Sequence, residues 1–436
     1  MQGLPPDLPL GEVIERYRDP KGVRELHAKA KAVCYCAHPI FLRASGTIDR
    51  RSTRISAEDY ADRIARPCGS RIREYCEACS YLYFGDSLAI VRTGLIGGKG
   101  VPEAVGTHPK VFLTLTAPSY GPVHAGNGRC HPADEGTCIH GVSLRCGIEH
   151  AWEDPIVGAP LCSECFDSVG LILFNAHISK LWDYTLIELR RELSRIVGQT
   201  VRVGQSIVRL EYLRVFELQR RGALHAHVIL RLDEASSLTA DPPLGIDELV
   251  RSVAGAIPRV KVVTSVGDQA LAIAWGTQRD MQVIGQDELE KVALYVAKYL
   301  SKEIGLSLGR SGAYVGPPHL IELSDVATQM MAQRRYQGLI GRRSAKSLGF
   351  SGHLLSTSRR FSVSRATLAN IRREFAIAQR EAQGQEADKS FISDRGFEYD
   401  GRNWASAGDA WLVAEKRRDR EEARQEGKEV IREERE

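Results

Sequence analysis

No stretch of this 436-residue chain approaches the run of about 20 apolar residues that a transmembrane helix needs. The opening MQGLPPDLPLGEVIERYRD carries prolines and carboxylates where a secretory signal needs an apolar centre. These two absences lead us to expect a cytoplasmic protein. Charge of one sign is also scarce: basic and acidic residues nearly cancel, leaving a formal net charge of +4. That balance alone does not mark a nucleic-acid partner. A phosphate-binding loop is missing too. Gly94-Leu-Ile-Gly-Gly-Lys-Gly100 lacks the full spacing and the Ser or Thr that should follow Lys99. No ATPase or helicase activity follows from it. The bulk composition, 43% hydrophobic and 26% charged, is ordinary for a soluble globular protein. The length allows a substantial core and two or three modules.

The stretch around which the chain is organised is Glu217-Leu-Gln-Arg-Arg-Gly-Ala-Leu-His225-Ala-His227-Val-Ile-Leu-Arg231. It reads as a β-hairpin. Strand residues alternate faces, so Leu224, Ala226, Val228, Leu230 and Leu232 share an apolar face while His225 and His227 project from the other. Gly222, with Arg220 and Arg221 before it, supplies the turn. The incoming strand, about Ile207 to Gln219, can bring Glu217 or Gln219 beside the imidazoles. Two neutral imidazoles with one carboxylate or amide oxygen suit a divalent ion with open positions. The plainer alternative is two half-buried histidines on an ordinary strand.

From Asp287 to Lys302, DELEKVALYVAKYLSK places Leu289, Val292, Ala293, Val296, Ala297 and Leu300 on one helical stripe. Tyr295 and Tyr299, four apart, are neighbours along its flank, with Lys291, Lys298 and Lys302 just beyond. Two phenols edged by ammonium groups are placed to meet a phosphate. Tyrosines at the rim of a core are the commoner arrangement.

Ten cysteines in such a chain fit metal better than disulfides. Each of two groups ends in Cys-x-x-Cys, a knuckle that grips zinc tetrahedrally once a second pair closes the site. The expected sets are Cys36, Cys68, Cys76 and Cys79 for one ion, and Cys138, Cys146, Cys162 and Cys165 for the other. Cys34, Cys130, His131 and His140 are possible substitutes. Four thiolates leave no open position, so both sites would be structural.

Between the clusters, a strand near Val101 to Gly121 puts Phe112, Thr114 and Thr116 on one face and Leu113 and Leu115 on the other. Phe174 to Val197, free of Gly and Pro, reads as a long helix. A helix near Ile246 to Gly255 and a strand near Val260 to Thr264 follow the hairpin. Strands and helices mixed around one sheet give an α+β palm. From Arg334 to Arg373 there are ten Lys or Arg and no Asp or Glu. Arg334, Arg335, Arg342, Arg343, Lys346, Arg359 and Arg360, interleaved with Tyr336, Phe350 and Phe361, suit a surface that neutralises phosphates and stacks bases. An idle basic region is the alternative. The tail from Glu415 mixes both signs with few apolar residues, and is either a solvated helix or disordered.

FLTLTAP (Phe112 to Pro118), ELQRRGALHAH and YVAKYLSK (Tyr295 to Lys302) stand in the order of the three motifs of HUH endonucleases. With two cysteine clusters, the chain resembles the rolling-circle replication initiators of actinobacterial plasmids and integrative elements, from about Cys36 to Arg380. The resemblance implies an HUH palm, an antiparallel sheet with the histidines on a central strand. It also implies an N-terminal cysteine region over 1–105 and an endonuclease domain over 106–305, the second cluster inserted at about 126–168. A basic DNA-binding region over 306–385 and a charged tail over 386–436 would complete the chain. The implied activity is nicking of an origin with Mg²⁺ or Mn²⁺ at His225, His227 and Glu217 or Gln219. Tyr299 and Tyr295 would be the nucleophiles, assisted by Lys298 and Lys302. The implied partners are origin DNA and host helicase and polymerase. A zinc-containing DNA-binding protein without catalysis, and a transposase or relaxase with the same chemistry, are the rivals. Relaxases tend to place their tyrosine before the histidines, whereas here it follows them.

Overall fold

A computed structural model describes residues 9–44, 63–131, 136–301, 307–308, 314–382 and 397–433. The chain forms two compact units, Leu88–Arg365 and the combination of Met1–Ser87 with Ala366–Glu436. These two units divide the chain near residues 87 and 365.

In the Leu88–Arg365 unit the elements that carry the site are, in order, β1 (Lys110–Leu115), α1 (Ser168–Ile196), β2 (Val208–Leu218) and β3 (Leu224–Glu234). There follow α2 (Ile246–Ala256), β4 (Lys261–Val266), β5 (Gln269–Ala274), β6 (Arg279–Val283), α3 (Leu289–Ser301), α4 (Pro318–Ala332) and β7 (Leu355–Thr357). Five strands build one sheet in the order β6-β1-β3-β2-β7, and every neighbouring pair is antiparallel. β4 and β5 form a separate hairpin. The fold is mixed α+β, and the histidine strand β3 is the middle strand of its sheet.

Period-2 alternation explains the two faces of β3. Leu224, Ala226, Val228, Leu230 and Leu232 are wholly buried, in one core with Leu171, Phe174, Ile178 and Leu189 of α1. The helix starts at Ser168, ahead of the expected Phe174 and with Gly170 inside it, because the Asp167 side chain accepts from the Gly170 amide at 2.7 Å and caps the first turn.

The basic stretch is not a module of its own. Leu320, Leu323 and Met330 of α4, with Tyr336, Leu348 and Phe350 beyond it, join the same core, and β7 extends the sheet. Apolar residues spaced between the arginines fasten this segment down.

The other unit is built from both chain ends. Strand Ile40–Ala44 lies between Ile64–Arg66 and Phe397–Arg402, antiparallel to each. Helix Ala407–Glu433 carries most of the charged tail. Its start buries Leu412 and Val413 in one cluster with Val13, Leu26 and Trp404, and Asp409 takes a two-pronged bond from Arg16, 2.6 Å on each prong. The charged run from Glu415 continues this helix, one of the two expected alternatives, and the buried residues lie ahead of it. Among the described residues no helix is long and apolar enough to cross a membrane.

Candidate functional site

The site grows from the turn joining β2 to β3. Gly222 sits at φ +86, in the left-handed region open to glycine, and a Cβ there would lie 2.7 Å from Leu323 Cδ1. The turn closes with Gln219 N–H to Ala223 O at 2.8 Å and Gly222 N–H to Gln219 O at 2.9 Å. From α1, the buried Asn175 amide clamps it. Its Nδ2 donates to Gly222 O (2.8 Å) and Leu348 O (3.0 Å), and its Oδ1 accepts from Leu224 N (3.0 Å).

Register then sets Glu217 opposite His225, and His227 between Val215 of β2 and Thr114 of β1. His227 Nε2 lies 2.9 Å from Glu217 Oε2, and its Nδ1 lies 3.2 Å from Thr114 Oγ1. The His225 and His227 rings are 5.4 Å apart. Of the two expected oxygen donors, Glu217 meets the histidines. Gln219 Oε1 instead accepts from Arg221 Nε at 2.9 Å, and Arg221 reaches on to the carbonyls of Pro118 and Ala117. Two imidazoles and a carboxylate share this face, donor types that a divalent ion takes, but their ligand atoms are not drawn mutually within 4.8 Å as those of the cysteine sets below are. Thr114 bonds the far nitrogen of His227 as an orienting partner does.

Both tyrosines come to this place. Burial of Leu289, Ala293, Val296 and Ala297 fixes the orientation of α3. Tyr299 stacks on His227 at 4.1 Å between ring centroids, and Tyr295 meets Phe112 edge-on at 5.8 Å. The Tyr299 hydroxyl donates to that of Tyr295. Burial first, and then this bond to Tyr295, hold the Tyr299 phenol well above the usual phenol range. Tyr295 is half exposed. The side chain of Lys298 and the whole of Lys302 lie outside the described residues.

Further along the same face of β3 the strand is locked by buried charge. Arg231 forks onto Asp233 at 2.7 and 2.8 Å, and His108 adds a bond to Asp233 at 2.8 Å. Burial opposes the Asp233 charge, yet the bonds from His108 and Arg231 outweigh it and hold the carboxyl below its usual range. Lys110, in register with Arg231, loses that contest: burial, then the Arg231 charge, lower it to about 7. No pattern of spacing announced this network.

The cysteines form three sets, each with its ligand atoms mutually within 4.8 Å. Cys36, Cys68, Cys76 and Cys79 come together as expected. Hydrogen bonding among these sulfurs pulls the Cys76 thiol far below its ordinary range and pushes Cys36 far above it. The second set differs from the expected one. Cys138, Cys162 and Cys165 meet His140, whose Nδ1 is 3.2 Å from Cys165 Sγ. Cys146 stands elsewhere, with Cys130, His124 and His150. The physical reason is a short ladder pairing Gly128–Arg129 with Glu149–His150, which draws the Cys146 loop back to Cys130. Cys34 and His131 enter none of these sets. Their donors, thiolate and imidazole, are those a structural metal ion takes.

Of the expected DNA contacts, Arg334, Arg335, Arg342, Arg343, Lys346 and Arg359 are exposed. Arg360 is tied to the Ala235 carbonyl at 2.5 Å. The aromatics among them are not available for stacking: Tyr336, Phe350 and Phe361 are all buried. Their flanking arginines hid a core periodicity.

Comparison with known proteins follows the same lines. A family profile described as "RepSA: Replication initiator protein, pSAM2" matches residues 22–418. A protein named "Replication initiator protein" from Streptomyces ambofaciens is 34% identical over 354 residues, covering 75% of this chain and 73% of that one. No solved structure matches. The match spans the cysteine sets, the hairpin and the tyrosine helix together, and the chain belongs to the family of pSAM2-type replication initiator proteins.

Proposed function

We propose that this protein initiates rolling-circle replication of a plasmid or integrative element by nicking its origin through a tyrosine, as an HUH endonuclease does. The observation that carries the reading is the meeting of Glu217, His225 and His227 with Tyr299 and Tyr295 on one face of the central sheet. A non-catalytic DNA-binding protein has no need of it.

Glu217, His225 and His227 would hold a divalent ion, Mg²⁺ or Mn²⁺, which when bound supplies the charge that polarises a non-bridging phosphate oxygen. Tyr299, stacked on His227, is the nearer nucleophile. Its phenol oxygen bonds to phosphorus as the bond to the 3′ oxygen breaks. The phenol proton passes to solvent, and the departing 3′ oxygen takes up one proton from solvent in return. The products are a 5′-phosphotyrosine and a free 3′-OH that a host polymerase extends behind a host helicase. The link conserves the bond energy, so no ATP is needed. Tyr295, one helical turn away, attacks the regenerated site, where the bond to the 3′ oxygen breaks; the 3′-OH so freed attacks the Tyr299 phosphotyrosine, which closes the circle and returns the Tyr299 phenol. The four-cysteine set around Cys76 and the set of three cysteines with His140 hold structural zinc. The exposed arginines from Arg334 to Arg359, with Lys346, contact the DNA backbone.

Incubation of the protein with a single-stranded origin oligonucleotide and Mg²⁺ or Mn²⁺ tests the reading. A covalent adduct at Tyr299 is expected, lost in Tyr299→Phe. Tyr295→Phe still nicks but leaves multimeric or uncircularised strands. His225→Ala with His227→Ala abolishes nicking while origin binding persists. Adduct on a residue other than these tyrosines, or nicking unchanged in the double histidine variant, would overturn it.

A further inference from the structure

We propose that His124, Cys130, Cys146 and His150 hold a third zinc ion, and that this ion fixes the loop on which the turn of the β2–β3 hairpin rests. The four ligand atoms come within 4.8 Å of one another. They are two thiols and two imidazoles, a composition that tetrahedral zinc accepts.

The surroundings are those of a ligand set. His150 turns Nε2 toward Cys146 Sγ, 3.3 Å away, while its Nδ1 lies 3.1 Å from Asp154 Oδ2. A carboxylate on the far nitrogen orients a metal-binding imidazole and raises its basicity. The Ala125 amide points at Cys130 Sγ at 3.3 Å, which favours the thiolate form. Cys130 itself is wholly buried, its backbone bonded to Ile148 and Gly147 at 2.8 and 2.7 Å. A disulfide between the two cysteines would leave the arrival of both histidines without a reason.

The segment also needs such a fastening. Among its described residues, 124–160 contain two strands of two residues each and no helix, and Ile139, Ile148 and Trp152 remain exposed. So little burial does not offset the ordering of a loop this long.

From this set the chain reaches the hairpin. The Asp154 carbonyl accepts from Arg220 Nη1 at 3.0 Å, and the Arg220 guanidinium lies 5.4 Å from the Trp152 ring centre. Gly158, at φ +92, allows the closest approach: a Cβ there would lie 2.4 Å from the Arg220 carbonyl carbon. Its amide donates to His124 O at 2.9 Å, which ties the seat of Arg220 directly to a ligand residue. Arg220 stands in the turn between Glu217 and His225, so the third ion would hold the turn from one side as Asn175 does from the other.

The claim about metal is independent of the nicking chemistry, and its test reads metal alone. Full-length protein carrying His225→Ala and His227→Ala, purified without chelator, is assayed for zinc by plasma mass spectrometry. Three zinc per chain are expected, and two would refute the site. In the same background Cys146→Ser and His150→Asn are each expected to retain two, and retention of three would refute the assignment. Should those variants fail to fold, cobalt replacement in the parent decides. The sets supply four, three and two thiolates, nine in all, and the sulfur-to-cobalt absorption should correspond to nine. Absorption corresponding to seven, with Cys130 and Cys146 found joined as a disulfide, would refute it. For the second half of the claim, amide exchange at Gln219 and Gly222 should accelerate about tenfold in His150→Asn. Unchanged exchange would show that the ion does not support the turn.

Discussion

Asn175→Leu tests how the hairpin is held. Leucine has the branched skeleton of asparagine with the same number of heavy atoms, so the change removes polarity while keeping the shape. The side chain makes three hydrogen bonds, two to the carbonyls of Gly222 and Leu348 and one from the Leu224 amide, at 2.8, 3.0 and 3.0 Å. Asn175 is wholly buried. Each backbone group stripped of a partner there costs about 1–3 kcal/mol. With partial relaxation the sum is about 4 kcal/mol, against a total stability of about 5–15 kcal/mol for a typical domain. Thr185→Val serves as the reference on the same helix. It removes one bond from a distant segment, from Trp275 Nε1 at 2.9 Å, and the hydroxyl's own bond to the Leu181 carbonyl within the helix at 2.8 Å, and should cost about 1 kcal/mol. Urea unfolding read by fluorescence of the buried Trp182 and Trp275 measures both variants. Asn175→Leu should lower the midpoint severalfold more than Thr185→Val, with an unchanged slope. A loss below about 1 kcal/mol, or one equal to the reference, would mean that the clamp does not hold the turn.

Lys110 predicts a pH effect of definite sign. Its folded pKa is about 7, below that of the unfolded chain, so the unfolded state binds more protons between these values and stability rises with pH. Relative to Lys110→Met, the wild type should gain about 2 kcal/mol between pH 7 and pH 9 in urea titrations; a flat difference refutes the buried neutral amine. Gly222→Ala should destabilise by more than about 1 kcal/mol because it meets both a left-handed backbone and Leu323, and an unchanged melting temperature would count against the turn geometry. Replacing Arg342 and Arg343 by Gln should weaken DNA binding at low salt and reduce the slope of log affinity against log salt by about 2. An unchanged slope would remove them from the DNA surface.

The hairpin was legible because alternation and a turn glycine are local signals, and burial on both sides of β3 forces the register they imply. The first cysteine set was legible for a similar reason: its Cys-x-x-Cys knuckle is local, and Cys36 and Cys68 complete it while Cys34 stays outside. The split of the remaining cysteines was not. Cys146 has no close cysteine neighbour in sequence, and only the pairing of residues 128–129 with 149–150 shows that it returns to Cys130. His124 and His150 looked like loop residues for the same reason. In the basic stretch, counting charge drew attention to the arginines and away from Tyr336, Phe350 and Phe361, whose burial makes them core. The choice of Glu217 over Gln219 rests on Arg221 occupying the amide, a contact across the turn that spacing alone does not settle. Leu412 and Val413, which fasten the last helix, lie just ahead of the charged run that begins at Glu415, so a count of charge did not reveal them.

The pairing of the chain ends has a consequence for how this protein is made. Strand Ile40–Ala44 finds Phe397–Arg402 only after all the residues between them are made, and the buried Trp404 indole bonds the Cys36 carbonyl at 3.0 Å. The earlier strand therefore waits for one made much later. During that interval Leu88–Arg365 emerges whole and can close its own core. The early thiols at Cys36, Cys68, Cys76 and Cys79 remain without the surrounding that Trp404 completes. A nascent chain arrested before residue 397 should accordingly show a protease-resistant Leu88–Arg365 unit and a digestible segment ahead of it, with the surroundings of the Cys36 set completed only once Trp404 is made.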